Sequence, residues 1–349
     1  MILFLVFSFF INVPLALTES PPREPLSPLP RLKIEKERIT VSGISSGGFF
    51  ANQMQVAFSS TIRGSAIVAG GVYGCSLGNE KRVSLCMQKA EEVELAEIFQ
   101  KTKEQEISGL IDSTENLKKA KVFLFFGEKD PVKKKSQLTA ISNFYRNYLP
   151  DHRIKSVLHP EANHAFPTEN YGNTCGKLRL PWISDCDFPL TREFFQLFDS
   201  SESPTKVKQH RKNRAEFSKK ENPSLLWKKF DQSTLTPDLK VAGLAEWGAI
   251  YVPKSCENNS CGLHLAFHGC QMNWQYVQNQ FIEKAGYLEA AEENQIVVVF
   301  PQLEKTKENP NTCWDWIGST GPDYLNKNGL QMKAMGNLIE AISSERSGP

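Results

Sequence analysis

A chain of 349 residues can bury a substantial core, as one large domain or two smaller ones. Its 41 Lys and Arg stand against 39 Asp and Glu, and a net charge of +2 offers nothing for nucleic acid or a strongly acidic partner to read. No C-x-x-C pair and no Cys/His cluster with zinc spacing occurs, so no metal is expected, and no cofactor either.

The first seventeen residues are almost wholly apolar, and Ala16 and Thr18 offer small side chains near a cleavage point. That run is short for a membrane span, so residues 1–18 read as a signal peptide and the protein as secreted, extracellular or periplasmic. No Lys or Arg precedes the run, which leaves an uncleaved anchor as the alternative. A Pro-rich segment follows over 19–36.

Residues 39–44 alternate as a short buried strand, and then comes Gly43-Ile44-Ser45-Ser46-Gly47, a match to G-x-S-x-G. Residues 49–54 continue with helical character. Strand, sharp turn and helix are the setting that a nucleophile elbow needs. A serine at the apex requires small neighbours, and the helix that follows points its amides at the charge developing in acyl transfer. The competing reading is a Ser/Gly-rich turn without chemistry.

Residues 65–71 read as a second strand, and 87–119 as solvent-facing helices. An unbroken apolar run at 121–127 has the character of a central parallel strand and ends in Glu128-Lys129-Asp130-Pro131. A helix over 134–148 and a strand over 154–158 lead to Asn163-His164. Ser45, Asp130 and His164 thus follow successive strands in the chain order of an α/β-hydrolase triad. Glu128 and Asp151 rival Asp130, and His152, His159, His210 and His264 rival His164. Position third in the series favours His164, while Glu128 and Asp151 stay open as alternatives to Asp130.

Residues 200–231 are rich in Lys and Arg and read as a solvated linker, with a patch for an anionic surface as the alternative. Beyond it, strands over 248–253, 263–267 and 296–301 surround a helix near 277–292, and the chain closes on an amphipathic helix over 325–343. His268-Gly269-Cys270 after the second of these strands has the form of an oxyanion loop. Such a loop ordinarily precedes the nucleophile, whereas here it follows the whole triad. Each half is incomplete alone, so the expected architecture is a circularly permuted α/β hydrolase with a mostly parallel sheet and helices on both faces. Its single domain would span 37–345: a triad half (37–199), the linker (200–231) and an oxyanion-loop half (232–345). Two independent domains are the alternative.

The eight cysteines are even in number. Cys75 with Cys86, Cys175 with Cys186, and Cys256 with Cys261 form near pairs, leaving Cys270 and Cys313. With a leader, four disulfides in an oxidising compartment account for them.

Seven short stretches then occur in one order: 41–49, 69–75, 164–168, 181–186, 251–256, 268–270 and Cys313-Trp314-Asp315-Trp316. With them the chain resembles the single-domain, circularly permuted polyhydroxybutyrate depolymerases over about residues 37–342. The resemblance implies a serine esterase with Ser45 as nucleophile, His164 as base and Asp130 as its partner. It also implies an oxyanion hole from the amides of Ser46 and Cys270, the near-neighbour disulfides, and a Cys270–Cys313 bond. A polyester or its oligomers would be the substrate, and a monomer the working form. Trp314 and Trp316 could rim the site for an apolar ester or be packed structural aromatics. The charged loop 303–312 and the long basic linker depart from the family pattern. They keep open another bulky ester, such as an acylated polysaccharide or a lipid, and a non-catalytic surface-binding protein of the same fold.

Overall fold

The computed structural model describes residues 26–133, 135–199 and 226–344; the expected signal peptide and most of the basic stretch lie outside the described residues. Its first half supplies strands β1 (Ile34–Ile44), β2 (Gly64–Val68), β3 (Lys121–Gly127) and β4 (Ile154–His159). Three short strands, β5 (Phe166–Thr168), β6 (Asn173–Thr174) and β7 (Ile183–Asp185), form a small separate sheet. The second half adds β8 (Lys228–Asp231), β9 (Trp247–Tyr251), β10 (Cys261–Phe267) and β11 (Ile296–Phe300).

Both halves enter one eight-stranded sheet, in the order β4-β3-β2-β1-β10-β11-β9-β8. All its pairings are parallel except those of β9, which runs antiparallel to both β11 and β8. The apolar runs explain why these strands sit centrally. Successive side chains of a strand point to opposite faces. In β3, Leu124 and Phe126 enter one core while Phe123 and Phe125 enter the other, and β11 divides Val297 and Val299 from Val298 and Phe300 in the same way. A strand covered on both faces has no reason to alternate polar with apolar.

The strand order is that of an α/β hydrolase whose chain begins at the elbow strand. β10 leads to β11, then to the terminal helix Leu330–Ser343, whose end meets the approach to β1: the Leu32 amide donates to the Ile342 carbonyl at 2.8 Å. An unpermuted chain would simply continue there.

Two stretches differ from their sequence reading. The last residues of the basic stretch form β8, in which Phe230 is the one buried side chain, so no alternation announced the strand. Lys228 and Lys229 suit its position at the sheet edge, where charge deters pairing with other chains. Part of the Pro-rich segment is also built in, since Ser27 bridges to Phe230. All eight cysteines are paired, as Cys75–Cys86, Cys175–Cys186, Cys256–Cys261 and Cys270–Cys313.

Candidate active site

β1 ends at Ile44, Ser45 makes the turn, and helix α1 (Ser46–Ala57) begins at the next residue. Ser45 has φ 56° and ψ −118°, a conformation strained for a residue with a Cβ. The turn therefore holds the hydroxyl out at the C-terminal end of the sheet. Gly47 is required by close approach, because a Cβ there would lie 2.4 Å from the Phe267 carbonyl oxygen and 2.5 Å from that of His268. That contact sets the start of α1 directly against the loop that follows β10. Every residue of α1 is buried, with the side-chain nitrogens of Asn52, Gln53 and Gln55 donating to backbone carbonyls and the oxygens of Asn52 and Gln55 accepting from the Tyr145 hydroxyl.

The three residues of the expected triad meet. Ser45 Oγ lies 2.9 Å from His164 Nε2, and His164 Nδ1 lies 2.8 Å from Asp130 Oδ2. A carboxylate only accepts, so Nδ1 carries the proton and leaves Nε2 free to take one from the serine. The other carboxylate oxygen, Oδ1, accepts the amides of Val132 (2.7 Å) and Lys133 (2.8 Å), and the carboxylate is wholly buried. The His164 loop is held from both sides. Its amide donates to Asn163 Oδ1, whose Nδ2 donates to the Gly176 carbonyl. On the other side, a Cβ on Gly127 would sit 2.1 Å from the Ala162 carbonyl oxygen, so only glycine lets the acid and base loops touch.

The rivals fall elsewhere. Asp151 pairs with Arg146, and Glu128 is exposed. His159 caps its own loop by accepting the amides of Glu161 and Ala162, and His152 is exposed. His264 lies inside the sheet between the hydroxyls of Thr40 and Ser42, where burial pushes its imidazole down to about 3. His210 lies outside the described residues.

The oxyanion hole expected from Ser46 and Cys270 has its parts side by side. Among the described residues no hydrogen bond occupies the amide of either. The Ser46 hydroxyl adds a link absent from the sequence reading. It lies 3.3 Å from Cys270 Sγ and accepts the Trp314 amide at 3.3 Å. A disulfide sulfur has no proton, so the hydroxyl donates to it. The nucleophile turn, the loop after β10 and the Cys313-Trp314 loop are thus tied at one buried side chain.

The tryptophans divide. Trp314 is 1% exposed and stacks on Phe50, so its place as a rim for substrate is corrected: it is a packed aromatic. Trp316 is half-buried and stacks on Phe49, one turn along α1 from the nucleophile. Lys133, which no motif announced, lies buried with Nζ 4.2 Å from the Phe49 ring centroid. Its Nζ has no hydrogen-bond partner among the described residues. Burial pulls the ammonium down to about 7, against the attraction of Asp130. No group of three or more His, Cys, Asp or Glu is placed to hold a metal among the described residues.

No family model matches the chain. A poly(3-hydroxybutyrate) depolymerase of Delftia acidovorans is 34% identical over 326 residues, which cover 92% of this chain. A solved polyhydroxybutyrate depolymerase, a serine-to-alanine variant complexed with an R3HB trimer, matches with a TM-score of 0.79 at 26% identity, over 91% of this chain and 99% of that one. The chain is thus similar to polyhydroxybutyrate depolymerases over nearly its whole length. A polyhydroxybutyrate depolymerase from Talaromyces funiculosus is 27% identical over 339 residues, covering 92% of this chain and 94% of its own length. The crystal structure of the depolymerase from Penicillium funiculosum gives a TM-score of 0.78. The chain spans 62% of the length of the Delftia depolymerase.

Proposed function

We propose that this chain is a serine esterase of the polyhydroxybutyrate depolymerase family that hydrolyses an aliphatic polyester, poly(3-hydroxybutyrate) or its oligomers. The observation that carries the reading is the continuous Ser45–His164–Asp130 hydrogen-bond chain at a strained elbow. Ser45 Oγ attacks the ester carbonyl while His164 Nε2 takes its proton. The amides of Ser46 and Cys270 receive the oxyanion, and His164 returns the proton to the departing alcohol oxygen. Water, activated by the same imidazole, then releases the acid from Ser45. Asp130 keeps the imidazole in the reactive tautomer. Trp316, half-buried beside the nucleophile's helix, offers an apolar wall to an alkyl ester.

Four disulfides support a working life in an oxidising compartment, and hence secretion. No helix among the described residues is long and apolar enough to cross a membrane. Every group in the proposed mechanism comes from one chain, which favours action as a monomer.

The test pairs a fluorophosphonate probe with clearing of a polyhydroxybutyrate suspension. Wild-type protein should be labelled and clear the suspension, and Ser45→Ala should do neither. Hydrolysis of short soluble esters without clearing would move the substrate to another bulky ester. An unlabelled wild-type protein would leave a non-catalytic binding protein.

A further inference from the structure

The proposed mechanism has no use for the Lys133 side chain, although its backbone belongs to the triad. The Lys133 amide donates to Asp130 Oδ1 at 2.8 Å, while the side chain leaves the acid loop for the helix that follows the nucleophile. There Nζ lies 4.2 Å from the Phe49 ring centroid and 5.6 Å from that of Trp316. The two rings are stacked, 4.2 Å apart and 16° from parallel. Phe49 is packed from behind as well, since a Cβ on Gly71 would lie 2.0 Å from its ring. Trp316 is pinned at its carbonyl, which accepts the Ser76 hydroxyl at 2.9 Å, but its half-buried ring is held by the stack. Lys133 is 2% exposed, and its Nζ has no hydrogen-bond partner among the described residues. Aromatic faces therefore stand where water would be, and a desolvated cation gains most from them.

The charges around Lys133 are few. Asp130 acts on it from its own loop, and α1 carries no ionisable side chain. In the Trp316 loop, the Asp315 carboxylate is taken up by four amides and the Thr320 hydroxyl. On the segment whose Gln88 donates to the Val132 carbonyl, Lys89, Glu91 and Glu92 are exposed.

We infer that Lys133 is a specificity-determining positioning residue: its ammonium holds the Phe49–Trp316 stack in place as the wall for the alkyl part of the ester. The inference rests on the reading of Trp316 as that wall. A ring that leaves the stack lowers the fraction of molecules ready to bind, and apparent affinity falls by that fraction. The wall meets bound ester and transition state alike, so its loss appears in KM and not in kcat. Because burial brings the ammonium down to about 7, its charge is present below that pH and gone above it. KM should therefore be low in acid and rise through neutrality.

Steady-state kinetics on p-nitrophenyl butyrate at pH 6 and pH 8.5 test this. The wild-type KM should rise about five- to tenfold between the two. Lys133→Met, which keeps the shape without the charge, should show the raised KM at both, with kcat within about threefold of wild type. Lys133→Arg keeps a charge at both pH values and should keep the low KM at both. A wild-type KM that is level across this range would overturn the inference. A Lys133→Met loss confined to kcat would also overturn it, and would assign the side chain to the triad through Asp130. If Lys133→Arg does not fold, the wild type and Lys133→Met decide between them. Trp316→Ala tests the wall separately: a raised, level KM is expected. An unchanged KM there would remove the wall itself, whereas a raised one beside an unaffected Lys133→Met would overturn the role of Lys133 alone.

Discussion

The loops carrying the acid and the base are fastened differently from the loop carrying the Cys270 amide. Asp130 and His164 are set by local means: two amides on one carboxylate oxygen, an asparagine bracket, and a glycine contact between neighbouring loops. All of these belong to the first half of the chain. The loop after β10 is fastened at long range, by a disulfide to Cys313 and a serine hydroxyl from the first half, with the adjacent buried imidazole of His268 on its Gly269 oxygen. On the proposed mechanism the proton-transfer groups are thus self-contained, while the anion-binding groups join the halves. Damage to the first should abolish turnover; damage to the second should grade it.

The largest expected effect comes from the self-contained side. Asp130→Asn should cost about 10⁴-fold in kcat, because an amide in place of the carboxylate favours the wrong imidazole tautomer. A loss under tenfold in steady-state assays would mean that His164 is oriented by something other than Asp130.

On the joining side, replacing Cys270 and Cys313 together by serine should lower kcat about ten- to hundredfold with KM kept. The bond spans 43 residues, so the chain-entropy model adds a stability loss of about 4 kcal/mol, read as a lower denaturation midpoint. An unchanged kcat in the folded double variant would show that Ser46 and His268 hold the loop unaided.

Ser46→Ala sharpens the comparison further. With only its amide in use, the hydroxyl would be dispensable. Its bonds to Cys270 Sγ and the Trp314 amide predict about a fivefold fall in kcat, near the value of one net hydrogen bond. In the variant lacking the disulfide, that fall should shrink, and full additivity would refute the link.

The smallest effect concerns pH. The Lys133 ammonium sits at about 7 in the folded chain against an ordinary value of 10.5, so the unfolded chain holds more protons between those values. Stability from this group therefore rises as pH climbs from about 7 towards 10, and the burial penalty is in full force below 7. Lys133→Met should raise the melting temperature more at pH 6 than at pH 9. His264 and His268 act at the acid end. Their folded values of about 3 and 4 lie below the ordinary 6.5, so stability present above 6.5 drains away as pH falls towards them. Equal melting shifts for Lys133→Met at both pH values would contradict its buried charge.

The sequence disclosed the elements with a strong local signature. Ser45, Asp130 and His164 each follow a strand, and those strands share one sheet in which β10 and β11 lie beyond the elbow strand, as a permuted chain requires. What stayed hidden depends on direction in space. A Cys-Trp-Asp-Trp loop cannot say that Trp314 turns inward onto Phe50 while Trp316 stays half-buried. Lys133 sits in a polar turn that reads as solvent-facing, and nothing local reveals that Phe49 and Trp316 cover it. The His268-Gly269 pair was visible as a backbone motif, but the bond from the ring to the Gly269 oxygen was not. β8 escaped because a four-residue edge strand with one buried side chain has no period to detect.

The pairing of β1 with β10 also imposes an order on synthesis. Thr40 meets His264 across 224 residues of sequence, so the two central strands are made far apart in time. A ribosome delivers the elbow and both of its catalytic partners first, in a four-stranded sheet whose β1 edge is bare. The strand that covers this edge is the one that brings Cys270 behind it, and Cys313 and the Trp314 amide come later still. On the proposed mechanism, the first half carries the nucleophile and the Ser46 amide, and the second oxyanion donor arrives only with the strand that closes the sheet. The proposed site is complete only once the sheet closes, and pairing between strands so far apart in sequence is the kind of step that slows folding.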